Sequence, residues 1–123
     1  MATTREIKIP GPEHPMSIEP FARPVSVTVE GIRIAESTNA LILREASYQP
    51  VYYIPISDID MRLLEESDST SYCSYKGDCN YFSVVTPTTT IADAAWIYHH
   101  PYPAAAAIAE HIAFYASRVT ISS

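Results

Sequence analysis

Glycine is nearly absent from this sequence: Gly11, Gly31 and Gly77 are the only three in 123 residues. A loop that cradles phosphate needs several glycines so that backbone amides can close on the anion. Neither a dinucleotide fingerprint nor a P-loop can be written anywhere on the chain. Basic runs are missing too. The 8 Lys and Arg residues are outnumbered by 14 Asp and Glu, for a net charge of −6. Without a basic stretch the footprint of a nucleic-acid binder is lacking, and no nucleic-acid partner is expected. No run approaches the ~18 apolar residues of a membrane span, and the opening MATTREIKIPGPEHP has no apolar secretory segment. The expectation is a cytoplasmic protein with no membrane partner. Two cysteines are too few for a disulfide framework, so free thiols in a reducing compartment are expected.

What is present describes an ordinary globule. The chain is 47% hydrophobic and 18% charged, a balance that argues against disorder. At this length one domain can bury roughly two-thirds of its unfolded surface. The prolines are concentrated early, at Pro10, Pro12, Pro15 and Pro20, followed by Pro24 at the junction. Proline fixes φ and removes a donor, so residues 1–23 read as an extended Pro-rich arm and 24–123 as the single domain.

From Val25 the apolar residues alternate. VSVTV places Val25, Val27 and Val29 on one face, Glu30-Gly31 turns the chain, and Ile32 and Ile34 resume. ALILRE (40–45), PVYYIP (50–55) and ADAAWIYHH (92–100) are further strand candidates, and TSYCSY and CNYFSVV form a hairpin. SDIDMRLLEESDST (57–70) reads as a loop or single helical turn. PAAAAIAEHIAFYA (103–116) reads as the one α-helix, with Pro103 in its first turn and an apolar stripe of Ala104, Ile108, Ile112 and Tyr115. RVTIS reads as a last short strand. Many short antiparallel strands and one C-terminal helix make a mainly β (α+β) single domain.

The hairpin TSYCSYKGDCNYFSV concentrates reactive side chains. A two-residue turn at Lys76-Gly77 places Cys73 opposite Asn80 and Cys79 opposite Ser74, with the thiols on opposite faces. A three-residue loop puts them on one face. Zinc needs about four ligands, and no second cysteine pair exists. The cysteines therefore read as free, buried small hydrophobes. Lys76, among tyrosines, is either an acid/base group whose charge burial disfavours or a solvated turn lysine. Asp58 and Asp60 share a face if extended, and either hold a cation or cap loops. His99 and His100 point oppositely on a strand, so each is at most a lone acid/base group. Trp96, Tyr98 and Tyr53 supply aromatic wall. No Ser-His-Asp order, glycine elbow or HExxH pattern occurs.

GPEHPMSIEP, IAESTNALILREASYQPVYYIPISDIDMRLLEES, TSYCSYKGDCNYFSV and AAWIYHHPYPAAAAIAEHIAFYASRV together resemble the DUF427 family, small domains of unknown function, over about residues 10–121. The specific motifs are Tyr-x-Pro-x-x-Asp, Cys-x-Tyr-Lys-Gly and Trp-x-Tyr. The resemblance implies an Mss4-like β-tent with a C-terminal helix, and a small pocket lined here by Tyr53, Asp58, Cys73, Lys76, Trp96 and Tyr98. Ile56 and Ser57 stand where the family carries Arg-Glu, Ser74 and Cys79 interrupt the Cys-Pro-Tyr-Lys-Gly-x-Ala pattern, and His99 replaces a common acidic residue.

These residues lead to a functional expectation. It is a cofactor-free, metal-free enzyme, with Lys76, Asp58, His99 and Tyr98 catalytic and Tyr53, Cys73 and Trp96 binding substrate. Its chemistry would be acid/base: isomerisation, cyclisation, dehydration or an aldol-type step on a small organic substrate, a role that suits secondary metabolism. The alternative is a non-catalytic small-molecule-binding module. A nucleotidyltransferase role ranks third, since only Asp58 and Asp60 speak for it. The sequence leaves a homodimer open.

Overall fold

The computed structural model describes residues 5–123. Ten strands run in chain order: β1 (Met16–Pro20), β2 (Val25–Val29), β3 (Ile32–Ser37), β4 (Leu41–Glu45), β5 (Val51–Pro55), β6 (Leu64–Cys73), β7 (Gly77–Val85), β8 (Thr90–Ile97), β9 (His111–Phe114) and β10 (Thr120–Ser122). β10-β2-β3 form a three-stranded sheet, and β1-β4-β5-β9-β8-β7-β6 form a seven-stranded one. Every pairing is antiparallel. Glu30 and Gly31 both have positive φ (50° and 79°), the signature of a two-residue turn whose twist matches the strands it joins.

Alternation along each strand sends side chains to two separate cores. Val25, Val27, Val29 and Ile34 of the small sheet pack against Ile54, Phe82, Val84, Ile97 and Ile112 of the large one. The opposite face of the large sheet carries Leu43, Tyr53, Cys79, Tyr98 and Ala113, over which Ala105 and Ile108 pack. Neighbours in sequence, such as Tyr53 and Ile54, thus belong to different cores. This second face carries the candidate site.

The large sheet curls strongly. Glu45 ends β4 and Lys76 lies in the β6–β7 connection, with β5, β9 and β8 between β4 and β7. In a flat sheet those four steps would span about 19 Å, yet the two side chains are hydrogen-bonded. The segment preceding β1 crosses between the same points. Lys8 N–H donates to Ser74 O at 2.8 Å, and a tight Gly11–His14 turn leads into β1. β1 is an edge strand, a position where Pro20 removes no interior ladder bond.

Three expectations are corrected. The α-helix expected at 103–116 is absent: Pro103–Ile108 is a 3-10 segment broken at Ala105, and His111–Phe114 is strand β9. Glu110, at φ 60°, breaks the path between them. β9 is sandwiched between β5 and β8, so Ile112, Ala113 and Phe114 are all buried. A short run buried on both faces looks the same to periodicity as a helix segment, and sheet pairing overrides alanine's helical preference. The 57–70 stretch is also more ordered than a loop. After two 3-10 turns, Ile56–Asp58 and Met61–Leu63, β6 begins at Leu64. Lastly, Cys73 pairs with Gly77 and Ser71 with Cys79, so the hairpin has the three-residue loop Ser74–Lys76. Cys73 and Cys79 therefore share a face. Both are free.

Candidate functional site

A cleft of about 510 Å³ opens on the second face of the large sheet. Its floor comes from alternation. Leu43 and Glu45 of β4 lie on the same side as Tyr53 of β5, which pairs with Leu41. Tyr81 and Trp96 pair directly across β7 and β8. The three-residue loop then brings Cys73 and Lys76 over this floor. Gly77 is needed for that loop. Its φ is +112°, and a Cβ there would come within 3.4 Å of His100 O. The loop is pinned from outside by Tyr102 N–H, which donates to Lys76 O at 3.0 Å.

The centre of the site is a buried ion pair. Lys76 Nζ donates to Glu45 Oε1 at 2.5 Å, and the side chains are 11% and 9% exposed. The other carboxylate oxygen, Oε2, lies 2.7 Å from His14 Nε2. A carboxylate can only accept, so Nε2 of His14 carries the proton that faces Glu45, and in a neutral ring Nδ1 is the remaining acceptor. The His14 ring stacks on Tyr75, centroids 4.0 Å apart and planes 5° from parallel. Burial acts to raise the Glu45 carboxyl, but the hydrogen bonds from Lys76 and His14 outweigh it. They hold Glu45 below the ordinary carboxylate range. The Lys76 ammonium also lies 5.8 Å from the Tyr98 ring centroid, within cation–π range.

Uncharged donors surround this pair. Trp96 Nε1 donates to the Tyr53 hydroxyl at 3.1 Å, which leaves the Tyr53 hydrogen free to donate in turn. Burial pushes the Tyr53 and Tyr98 phenols well above their ordinary value, so both stay protonated donors at neutral pH. Burial likewise raises the Cys79 thiol, against the opposing pull of Ser71, Tyr81 and Tyr98. Cys79 is thus a neutral thiol rather than a poised nucleophile.

Of the expected site residues, Lys76, Tyr98, Tyr53, Cys73 and Trp96 all line this cleft. Asp58 and His99 do not. Asp58 accepts a hydrogen bond from Ser37 Oγ at 2.6 Å beyond the end of β5. His99 is exposed and pairs with Glu66 at 3.0 Å. Asp60, the second carboxylate of that pair, is held by Arg62. Among the described residues no group of three or more His, Cys, Asp or Glu side chains gathers as a metal ion would require. Two central residues, His14 and Glu45, stand outside the motifs the sequence offers. Glu45 had a legible signal, because a carboxylate continues the apolar Leu41–Leu43 face of β4. His14 had none, since its partner is 31 residues away.

A family model described as a domain of unknown function (DUF427) matches residues 17–123. The chain belongs to the DUF427 family. Glu45, Tyr53, Cys73, Lys76, Trp96 and Tyr98 lie inside the matched stretch of this DUF427 domain, and His14 lies before it. No curated protein matches the chain. Among the described residues no helix is long and apolar enough to cross a membrane.

Proposed function

We propose that this DUF427 protein is a cofactor-free acid/base enzyme acting on a small, neutral, carbonyl-bearing organic molecule. The observation that carries the reading is the Lys76–Glu45 pair buried in the wall of a roomy aromatic cleft. Two buried charges are costly to desolvate and contribute little net stability compared with an apolar pair. A cleft that keeps them has a fixed ammonium to offer, whose remaining N–H groups can polarise a carbonyl oxygen. The pair is internally neutral, which favours a substrate without formal charge.

In this reading Lys76 and the Tyr53 hydroxyl donate to the substrate oxygen as negative charge builds on it. Glu45 balances the Lys76 ammonium and fixes its position. Free Nδ1 of His14 takes the proton from the adjacent carbon, and Glu45 stabilises the imidazolium that forms. Returning that proton to a conjugated carbon gives an isomerisation, and attack of the enolate on a second carbonyl, with the imidazolium proton passing to the new alkoxide, gives an aldol-type closure. Asp58 and His99 have no part in this step. Should the cleft only bind, the same residues would still hold a ligand but move no proton.

Trp96 is the only tryptophan and lines the cleft, so its fluorescence reports binding directly. Titration with 4-hydroxyacetophenone should quench wild-type protein saturably. Lys76→Met and Tyr53→Phe should each weaken that binding by roughly tenfold, as expected when a buried donor to a ligand oxygen is lost. Unchanged binding in folded samples of both variants would contradict the assignment.

A further inference from the structure

A second cleft, about 440 Å³, adjoins the first and is lined by nine residues, among them Pro50, Phe114 and Ala116. None of these carries a formal charge. Four of them, Gln49, Val51, Trp96 and Tyr115, also line the cleft that holds Lys76. The boundary between the two is the Trp96–Tyr115 ring pair, with centroids 4.5 Å apart and planes inclined at 45°. One side of this boundary offers an ammonium, a carboxylate and phenol hydroxyls. The other offers Pro50, Phe114, Ala116, Ile121 and the faces of Tyr52 and Trp96.

We infer that the two clefts form one bipartite site for a carbonyl compound with a hydrocarbon arm. Its polar head lies against Lys76 and Tyr53, and its apolar arm lies over Trp96 and Tyr115 in the uncharged cleft. This rests on the function proposed above and narrows its substrate class. A polar molecule ending at the ring pair would leave the uncharged cleft wet, and burying an alkyl chain there is favourable in proportion to the area covered. Continuity of the walls is what makes the occupant an arm of the same ligand: the shared residues contact head and arm together.

The test is Trp96 fluorescence with 4-hydroxyphenyl alkyl ketones, from the methyl to the octyl ketone, on wild type, Ala116→Phe and Lys76→Met. Ala116 is exposed and lines only the second cleft, so a phenyl ring there fills the cleft without disturbing a core. Wild-type affinity should rise roughly two- to fourfold per methylene until the chain outgrows the cleft. Ala116→Phe should remove that rise and leave the methyl ketone's affinity unchanged. Lys76→Met should weaken every member by the same factor. A flat series in wild type, with the methyl ketone still bound through Lys76, overturns the bipartite site alone. A series that rises with length but ignores Lys76→Met overturns the function proposed for the head. Loss of a sedimenting dimer in Ala116→Phe, together with a flat series, would give the uncharged cleft to a second copy of this chain and also overturn the inference.

Discussion

Lys76 Nζ and Glu45 Oε1 are 2.5 Å apart although three strands of the large sheet separate β4, which ends at Glu45, from β7, which Lys76 directly precedes. The pair therefore closes the curl of the sheet as well as furnishing the cleft. Removing one partner from a buried pair strands the other charge, at a cost of several kcal/mol when the site is dry. The slight exposure of both side chains reduces that cost. Glu45→Ala orphans Lys76 and His14 together and should destabilise by roughly 2–4 kcal/mol in urea denaturation. Lys76→Met leaves Glu45 its His14 partner and should cost less. The double variant Glu45→Leu/Lys76→Met should recover most of the loss. Equal costs for the two single variants would show that His14 does not share the carboxylate.

The pH dependence has a definite sign. The folded-state pKa of Glu45 is depressed below its ordinary value of 4.5, so the native state binds fewer protons there than the unfolded chain. Its stabilising contribution is complete above that value and is lost as pH falls through the lower folded pKa. Thermal melts from pH 6 down to pH 2 should show a falling Tm whose slope is shallower in Glu45→Gln. An identical slope in the variant would remove Glu45 from the acid transition. Asp60 and Asp93, held low by Arg62 and by Ser67 and Ser69 respectively, should supply part of the slope that remains.

Much of this site was legible in the chain, and the reasons for the rest are specific. Tyr53 and Trp96 sit on strands, where alternation decides which face a residue takes, and Tyr98 directly follows β8. Lys76 was recognisable from its aromatic surroundings. The hairpin face was not. A one-residue difference between a two- and a three-residue loop moves Cys73 across the ribbon, and Lys76-Gly77 satisfies either turn by composition. The stretch 103–116 is not a helix because His111–Phe114 pairs on its two edges with β5 and β8, whose partner residues are distant in sequence. His14 depends on the arm crossing from the hairpin to β1, a path set by single contacts such as Lys8 to Ser74.

The thiols should be free and unequal. Denatured, unreduced protein should release two equivalents with Ellman's reagent, because Cys73 faces Gly77 across the ladder and Cys79 faces Ser71, leaving the sulfurs diagonal rather than opposite. In native protein at pH 8, half-buried Cys73 should react first. Cys79, buried and raised in pKa by that burial, should lag by at least about tenfold. Zero equivalents in fresh protein would contradict the ladder register.

The phenols offer an independent check on the cleft. Tyr72 and Tyr115 are each pushed up to about 12, chiefly by burial, with Tyr102 and Tyr81 adding to the respective shifts. Tyr53 and Tyr98 are raised further by burial. Ultraviolet titration to pH 11 should therefore leave at least these four of the nine tyrosines protonated while the fold persists. Ionisation of all nine below pH 11 without unfolding would show that water reaches the cleft phenols.

The central claim is that the cleft moves a proton, with His14 as the base and Lys76 polarising the carbonyl, and does more than bind. The direct measurement is proton NMR of 4-hydroxyacetophenone in D2O at neutral pH, following loss of the methyl signal α to the carbonyl. Wild-type protein should accelerate that exchange over buffer. Lys76→Met and His14→Phe should each lose at least ~10²-fold of the acceleration, the low end for removing a general acid or base, while their circular dichroism stays native. Exchange at the buffer rate in wild-type protein that saturably binds the same ketone would contradict the catalytic claim and leave the cleft a binding site.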